Sequence, residues 1–381
     1  QIEEKGALGL GSNSAWKNLK VLDLKRNDNI NDQGGAAIGQ NKTWVRLEIL
    51  NLYSTQLGAY AGTCIAGNSA WKNLKQIDLA YCAIGPKGGV AIGNSTTWEN
   101  LEKLWLAGNQ IGDEGAKSIG NNTVWYNLRD LDLSSNDISD EGAVSLGRNV
   151  SWENLEILYL SSNRIGDMGA ASIGSNACWK NLRVLSLCLN NLIGDEGVAV
   201  ICNNKNWKNL QFMSLSHNKI GNHGAVCISS NTTWSNLMEL DLESNNIGEE
   251  GAIAISKNTI WRRLRVLRLS QNNIGDVSGV AIANNNVWSE LTHLHLKNTD
   301  MGDVGGSALG RNESWKKLKG LFLEDNRLGW KSVVALGGNA NWGEIAEIYG
   351  FSASNLNAER INAFKAMKLV NSHLMIKLSR F

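Results

Sequence analysis

The sequence predicts an α/β repeat architecture, and three observations lead to it. Trp16, Trp44, Trp71, Trp98, Trp125, Trp152, Trp179, Trp207, Trp234, Trp261, Trp288, Trp315 and Trp342 are separated by 27 residues ten times and by 28 twice. Three residues after each stands a leucine, from Leu19 to Leu318, with only Ile345 departing. Each interval contains a stretch of period two and a stretch with helix signals, so one unit is copied thirteen times in register.

Written out, the unit is W-x-N-L-x-x-L-x-L-x-x-N-x-I-G-D-x-G-A-x-x-I-G-x-N-x-x. Its L-x-L core, for example Leu131 and Leu133, sends two leucines to one side and leaves Asp130, Asp132 and Ser134 on the other, as a short strand does. The second half opens on a carboxylate, Asp113, Asp140, Asp167, Asp195, Asp276 or Asp303, expected to cap the first N–H groups of its own helix. Gly120 and Asn121 are expected to end that helix, and Ala116 and Ile119 to face inward. The only proline, Pro86, falls at a helix start, where a missing N–H is tolerated. The two extra residues lie in "KRNDNIND" and "CLNNLIGD", turns beyond a strand that absorb insertions cheaply.

Whole-chain properties narrow the function. With 381 residues, 43% of them hydrophobic, the chain buries a large core and is not disordered. Its 37 basic and 36 acidic residues give a net charge of +1, which offers no long-range attraction to nucleic acid or anionic membrane. No apolar run reaches membrane-spanning length.

The stretch "LRDLDLSSNDISDEGAVSLGRN", Leu128 to Asn149, resembles a leucine-rich repeat of the ribonuclease-inhibitor type, and the resemblance covers roughly residues 1–350. It implies a curved solenoid, a horseshoe with a parallel sheet on the concave side and short helices on the convex side. It also implies that Asn109, Asn136, Asn163, Asn218, Asn245, Asn272 and Asn326 form a ladder bonding backbone groups in the turn. Thr55, Cys82 and Thr299 depart from Asn there, so those turns are expected to be less well held. The tryptophans take the place where related repeats carry leucine, and recurrence in every repeat favours a core column over a ligand site.

The ends differ. "EEKGALGLGSN" fits the helical half of a unit, so the array is expected to start in mid-repeat, with a possible upstream domain. Residues 351–381 are expected to form a C-terminal helical cap, since Ile361, Phe364 and Met367 fall near one helical face.

Six cysteines at differing repeat positions resemble thiols of a reducing compartment. Asn41, Asn94, Asn121, Asn149, Asn231 and Asn312 begin N-x-[ST] sequences but share the helix-ending turn, and are read as turn chemistry. Enzyme signatures are weak and no cofactor is implied. "GDEGAKS" misses the phosphate-loop spacing, and His293 and His295 share a strand face without a carboxylate at the neighbouring positions around Arg268 and Phe322. Some proteins of this repeat type activate small GTPases; Arg164 and Arg327 lie in the right class of loop for that.

Function is expected where the repeats vary. The residue between the two core leucines runs Asp23, Asn51, Asp78, Trp105, Asp132, Tyr159, Ser186, Ser214, Asp241, Arg268, His295, Phe322 and Tyr349. With strands about 4.8 Å apart, Trp105, Asp132 and Tyr159 should form one patch, next to Asp78. A second, basic patch combines Arg268, His293, His295, Lys297 and Phe322. The expectation is a non-enzymatic scaffold that binds a protein partner on the concave face. The resemblance suggests an intracellular receptor, or a bacterial effector acting in the host cytosol. A small-GTPase activator and an extracellular adhesion protein are the alternatives.

Overall fold

The computed structural model describes residues 2–352 and 375–379. The chain divides into two compact units, Gln1–Ile193 with Asn203–Lys208, and Gly194–Cys202 with Asn209–Phe381. In the first unit helix and strand alternate: α1 (Glu4–Gly11), β1 (Val21–Asp23), α2 (Asn31–Gln40), β2 (Ile49–Asn51), α3 (Gly58–Ala66), β3 (Gln76–Asp78), α4 (Gly85–Gly93), β4 (Lys103–Trp105), α5 (Gly112–Gly120), β5 (Asp130–Asp132), α6 (Asp140–Gly147), β6 (Ile157–Tyr159), α7 (Asp167–Gly174) and β7 (Val184–Ser186). The second unit continues the order with α8 (Asp195–Asn203), β8 (Phe212–Ser214), α9 (Asn222–Ser230), β9 (Glu239–Asp241), α10 (Glu249–Ser256), β10 (Val266–Arg268), α11 (Gly275–Ala283), β11 (His293–His295), α12 (Asp303–Leu309), β12 (Gly320–Phe322), α13 (Trp330–Gly337), β13 (Glu347–Ser352) and β14 (Met375–Ser379). Within each unit successive strands pair in parallel, equivalent repeat positions facing each other, as Leu104, Leu131 and Leu158 do. This is the α/β leucine-rich solenoid with a parallel sheet that the repeat predicts.

The core of each repeat lies between its strand and its helix. Leu131, Leu133, Ile138, Ala143 and Leu146 are fully buried there, and so is every column tryptophan from Trp44 to Trp315. Neighbouring indoles stack, Trp98 on Trp125 and Trp152 on Trp179 both at 6.4 Å between ring centres and nearly parallel. The structural reading of the column therefore holds within the array, while Trp16 is 44% exposed.

A buried turn must still satisfy its backbone groups. The expected ladder does this: Asn136 Nδ2 donates to the Leu106 and Ser134 carbonyls at 2.8 and 3.0 Å, and its Oδ1 accepts from Asn109 and Ile111. Asn190, eleven residues after Trp179 as Asn163 is after Trp152, belongs to the same ladder; the inserted residue follows it. At the departures, Thr299 and Cys82 donate one hydrogen to a ladder carbonyl, Leu296 O and Leu52 O, and supply no second amide hydrogen.

A second asparagine column stands three residues before the tryptophans; four of its members, Asn41, Asn149, Asn231 and Asn312, are among the N-x-[ST] asparagines that the sequence presents as turn chemistry. Asn149 Nδ2 donates to the Gly120 and Asn122 carbonyls, both at 2.8 Å, and its Oδ1 accepts from Ser151 and Trp152. Asn68, Asn122, Asn176, Asn204, Asn285 and Asn339 repeat the pattern. The indole column and this ladder are thus one device: the asparagine fixes the backbone that carries each ring.

One helix expectation is corrected. Asp113 does not cap its own helix; its Oδ1 accepts from Ser139 and Gly142 at 2.8 and 3.0 Å, the start of the next helix, α6. Asp140, Asp276 and Asp303 likewise reach forward one repeat. These carboxylates stand at the first or second helical position, where side chains tilt toward the helix N-terminus and so lie level with the N–H groups that open the adjacent helix. Gly120 and Asn121 do end α5, as expected, the helix closing at Asn121 with φ −87°. A Cβ on Gly120 would lie 2.5 Å from the Ser145 carbonyl carbon, so the glycine lets α5 and α6 touch through their backbones.

At the C-terminal end, the segment 357–370, expected to be helical, lies outside the described residues. Residues 375–379, also assigned to the helical cap, form β14, parallel to β13.

Trp152→Ala should leave a cavity beside the Trp179 ring and cost about 3–5 kcal/mol; an unchanged denaturation midpoint would count against a packed column. Ser95 stands in the second ladder without a partner for its buried hydroxyl. Ser95→Asn should complete the column and raise stability by about 1 kcal/mol, read as a higher denaturant midpoint; a lower one would mean that the turn has no room for the amide.

Candidate functional site

The strand face turned away from the helices presents two side chains per strand. In the first unit the first row reads Gln76, Lys103, Asp130 and Ile157, and the second Asp78, Trp105, Asp132 and Tyr159. The expected neighbours Asp78, Trp105, Asp132 and Tyr159 therefore stand on four consecutive strands. Their backbones are held by Leu104, Leu106, Leu158 and Leu160, all fully buried, so the face residues contribute little to the core.

The face is less solvated than the alternation implies. Trp105, Asp132 and Tyr159 are half-buried, and Asp78 is buried. Asp130, expected on the solvent side, is only 9% exposed, and its Oδ1 has no hydrogen-bond partner. Burial raises the Asp78 carboxyl above its ordinary range; the Ala80 N–H pulls it back, and the Asp132 and Asp23 charges push it further up. Burial also raises Asp130, against hydrogen bonding from the Trp105 side chain and the charge of Lys103. The Tyr159 phenol is raised by burial and by both carboxylates of β5. Lys103 lies over the Trp105 ring at 5.7 Å, and Asp132 accepts the Ser134 N–H at 2.9 Å. Asp130 and Lys103 were not singled out in the sequence, although the D-L-D spacing of β5 places Asp130 beside Asp132.

In the second unit Arg268, His293, His295 and Phe322 also come together, extended by Tyr349. His295 stacks on Phe322 at 4.1 Å, and Phe322 on Tyr349 at 4.9 Å. Gly320 leaves room for this, since a Cβ there would lie 2.8 Å from His293 and 2.9 Å from Phe322. The patch expected to be basic is largely compensated. Arg268 pairs with Glu239 at 3.0 Å and contacts His295 Nε2 at 2.7 Å, and Lys297 pairs with Asp325 at 3.3 Å. Burial, with the Arg268 guanidinium, holds the His295 imidazole down to about 3, so that ring is neutral at physiological pH. Among the described residues no group of three or more His, Cys, Asp or Glu is placed to hold a metal ion.

Outside the strand face, Arg164 is tied to Asp137 and Arg327 to Asp300. Trp330 is 53% exposed at the start of α13, beside a shallow helix-side groove with Arg311 and Lys331. The six cysteines are thiols, Cys82 and Cys202 buried. Of the six N-x-[ST] asparagines, Asn41, Asn149, Asn231 and Asn312 are buried with Nδ2 donated to backbone carbonyls, while Asn94 and Asn121 are exposed. A glycan on the first four would displace the ladder. No helix of the described residues is long and apolar enough to cross a membrane.

The depressed His295 implies a sign for pH dependence. An unfolded histidine binds a proton near pH 6.5 and the folded one only near 3, so its contribution is present above pH 6.5 and is lost as pH falls toward 3. His295→Gln should therefore lose less thermal stability than wild type between pH 7 and pH 4. Equal losses, or a His295 ring proton that titrates above pH 5 by nuclear magnetic resonance, would contradict a neutral ring.

No curated protein matches the chain in sequence. Among solved structures, an internalin of Listeria monocytogenes is similar over 89% of this chain and 83% of its own, with TM-score 0.62 and 19% identity. A leucine-rich-repeat protein of Leptospira interrogans is similar over 95% and 90%, with TM-score 0.58 and 20% identity. The yeast Rad7 and Elc1 complex is similar over 93% of this chain and 85% of the matched chain, with TM-score 0.52 and 14% identity. These likenesses concern the fold. The family described as Leucine Rich repeat matches ten segments, residues 17–39, 72–93, 99–120, 127–147, 153–174, 180–202, 208–229, 235–256, 263–283 and 290–310. Ten matched copies, on strands and helices that alternate as the family requires, make this chain a member of the leucine-rich-repeat family.

Proposed function

We propose that the protein is a recognition scaffold that binds a protein partner on its strand face, centred on β4 to β6. The observation that carries this reading is the pair Trp105 and Tyr159, half-buried aromatics on strands whose core is complete without them. Aromatic side chains that add nothing to the core but offer large rigid area are the usual anchors of interfaces. The paired state of Arg268 and Lys297 leaves the second patch less charge to offer, which favours the β4–β6 face over it.

A cytosolic setting, as a receptor or as an effector in a host cell, suits the six thiols and the four N-x-[ST] asparagines committed to the ladder. The tethering of Arg164 and Arg327 to carboxylates speaks against either as a GTPase-activating arginine.

The test uses a partner captured on the intact chain. Replacing Trp105 and Tyr159 together by Ala should leave the unfolding midpoint nearly unchanged and weaken binding by at least about 2 kcal/mol, roughly thirtyfold. Lys117→Ala, on the helix side, should leave affinity as it was. Normal binding by the double variant, with loss on changing Arg268 and His295, would move the site to the second unit. Loss only on helix-side changes would end the strand-face reading.

A further inference from the structure

We infer that the β4–β6 face receives an arginine side chain of the protein partner, its guanidinium lying over Asp132 between the Trp105 and Tyr159 rings and beside the Asp130 carboxylate. This deepens the strand-face reading and rests on it.

Charge is the first support. The outward positions of β1 to β6 carry Asp23, Asp78, Asp130 and Asp132 against one cation, Lys103. The second support is the state of one of these carboxylates. Asp130 is more than nine-tenths buried; the Trp105 side chain hydrogen-bonds its carboxylate, yet its Oδ1 has no partner, and it stands on the same strand and face as Asp132. A buried carboxylate oxygen without a donor is costly, and a small turn of the carboxylate would bring it to a donor arriving from the strand face. Asp132 uses one oxygen on Ser134 and keeps the other for a ligand.

Geometry selects the donor. Trp105 and Tyr159 are two strands apart, roughly 9–10 Å, so a cation midway over Asp132 lies within about 6 Å of both rings. Lys103 already covers Trp105 at 5.7 Å. A planar guanidinium fits edge-on between the rings and has donors enough for both carboxylates of β5, whereas an ammonium is a strongly hydrated point charge with fewer.

The test titrates the intact chain, labelled with 15N at the indole nitrogens, with the peptide acetyl-Gly-Arg-Gly-Arg-Gly-amide and with its citrulline and lysine counterparts. The Trp105 indole signal, identified by its loss in Trp105→Phe, should shift saturably with the arginine peptide and stay in place with the neutral citrulline peptide. The lysine peptide should bind several-fold more weakly. Asp130→Asn with Asp132→Asn, which keeps side-chain shape, should weaken the arginine peptide at least tenfold at an unchanged unfolding midpoint. Citrulline or lysine binding as tightly as arginine would overturn the proposal, as would an arginine response that survives both Asn changes. The two readings separate on the captured partner. If its binding is lost with Trp105 and Tyr159 but is indifferent to the two Asn changes, the strand face stands and the arginine site falls. If neither set matters, both fall.

Discussion

Buried backbone at the turns is the constraint on which the rest depends. A coil of 27 residues puts polar groups of every turn against the next coil, away from water, and each must find a partner. Two asparagine columns meet that demand. An amide side chain suits both, since it donates two hydrogens and accepts at one oxygen in a single planar group. Asn136 and Asn149 each use that full capacity. The strands are only three residues long in most repeats, too short to hold register by themselves. Register is instead fixed where the ladders bind one coil to the next.

The contacts between coils also have a direction. Both ladders send amide hydrogens backward, to carbonyls of the preceding repeat, while the aspartates of the helix starts reach forward to N–H groups of the following one. Each coil is therefore completed from both sides, in addition to the shared apolar core. Stability in such an array is carried largely by nearest-neighbour terms. The close backbone approach at Gly93, Gly120 and Gly147 belongs to the same scheme, for a side chain there would separate adjacent helices.

Much of this was legible in the sequence because the repeat is strict. Alternation at Leu131 and Leu133 gave the strands, and the tryptophan spacing gave the column. What a single repeat does not reveal is which copy a side chain serves. Asp113 stands where a helix cap is expected, and only the packing of coils shows that its carboxylate belongs to α6. The same limit applies to the site. Outward residues such as Trp105 and Tyr159 follow from the period of two, and so does their adjacency. The pairing of Arg268 with Glu239 does not, because the partners are 29 residues apart and on different rows of the face. The burial of Asp130 was also hidden, since it depends on how the larger side chains beside it lie.

The indole column has an optical consequence. Twelve of the rings are fully buried, and in the first unit Trp44 and Trp71, Trp98 and Trp125, and Trp152 and Trp179 lie close and almost parallel. Within each pair the two transitions are nearly degenerate, so light absorbed by one ring should be shared with the other before it is emitted, and rings so buried should emit at short wavelength. Trp16, Trp105 and Trp330, which meet solvent, stand outside that pool. The protein thus carries two spectroscopically distinct sets of the same chromophore, one that registers the continuity of the coils and one that registers what touches their surface.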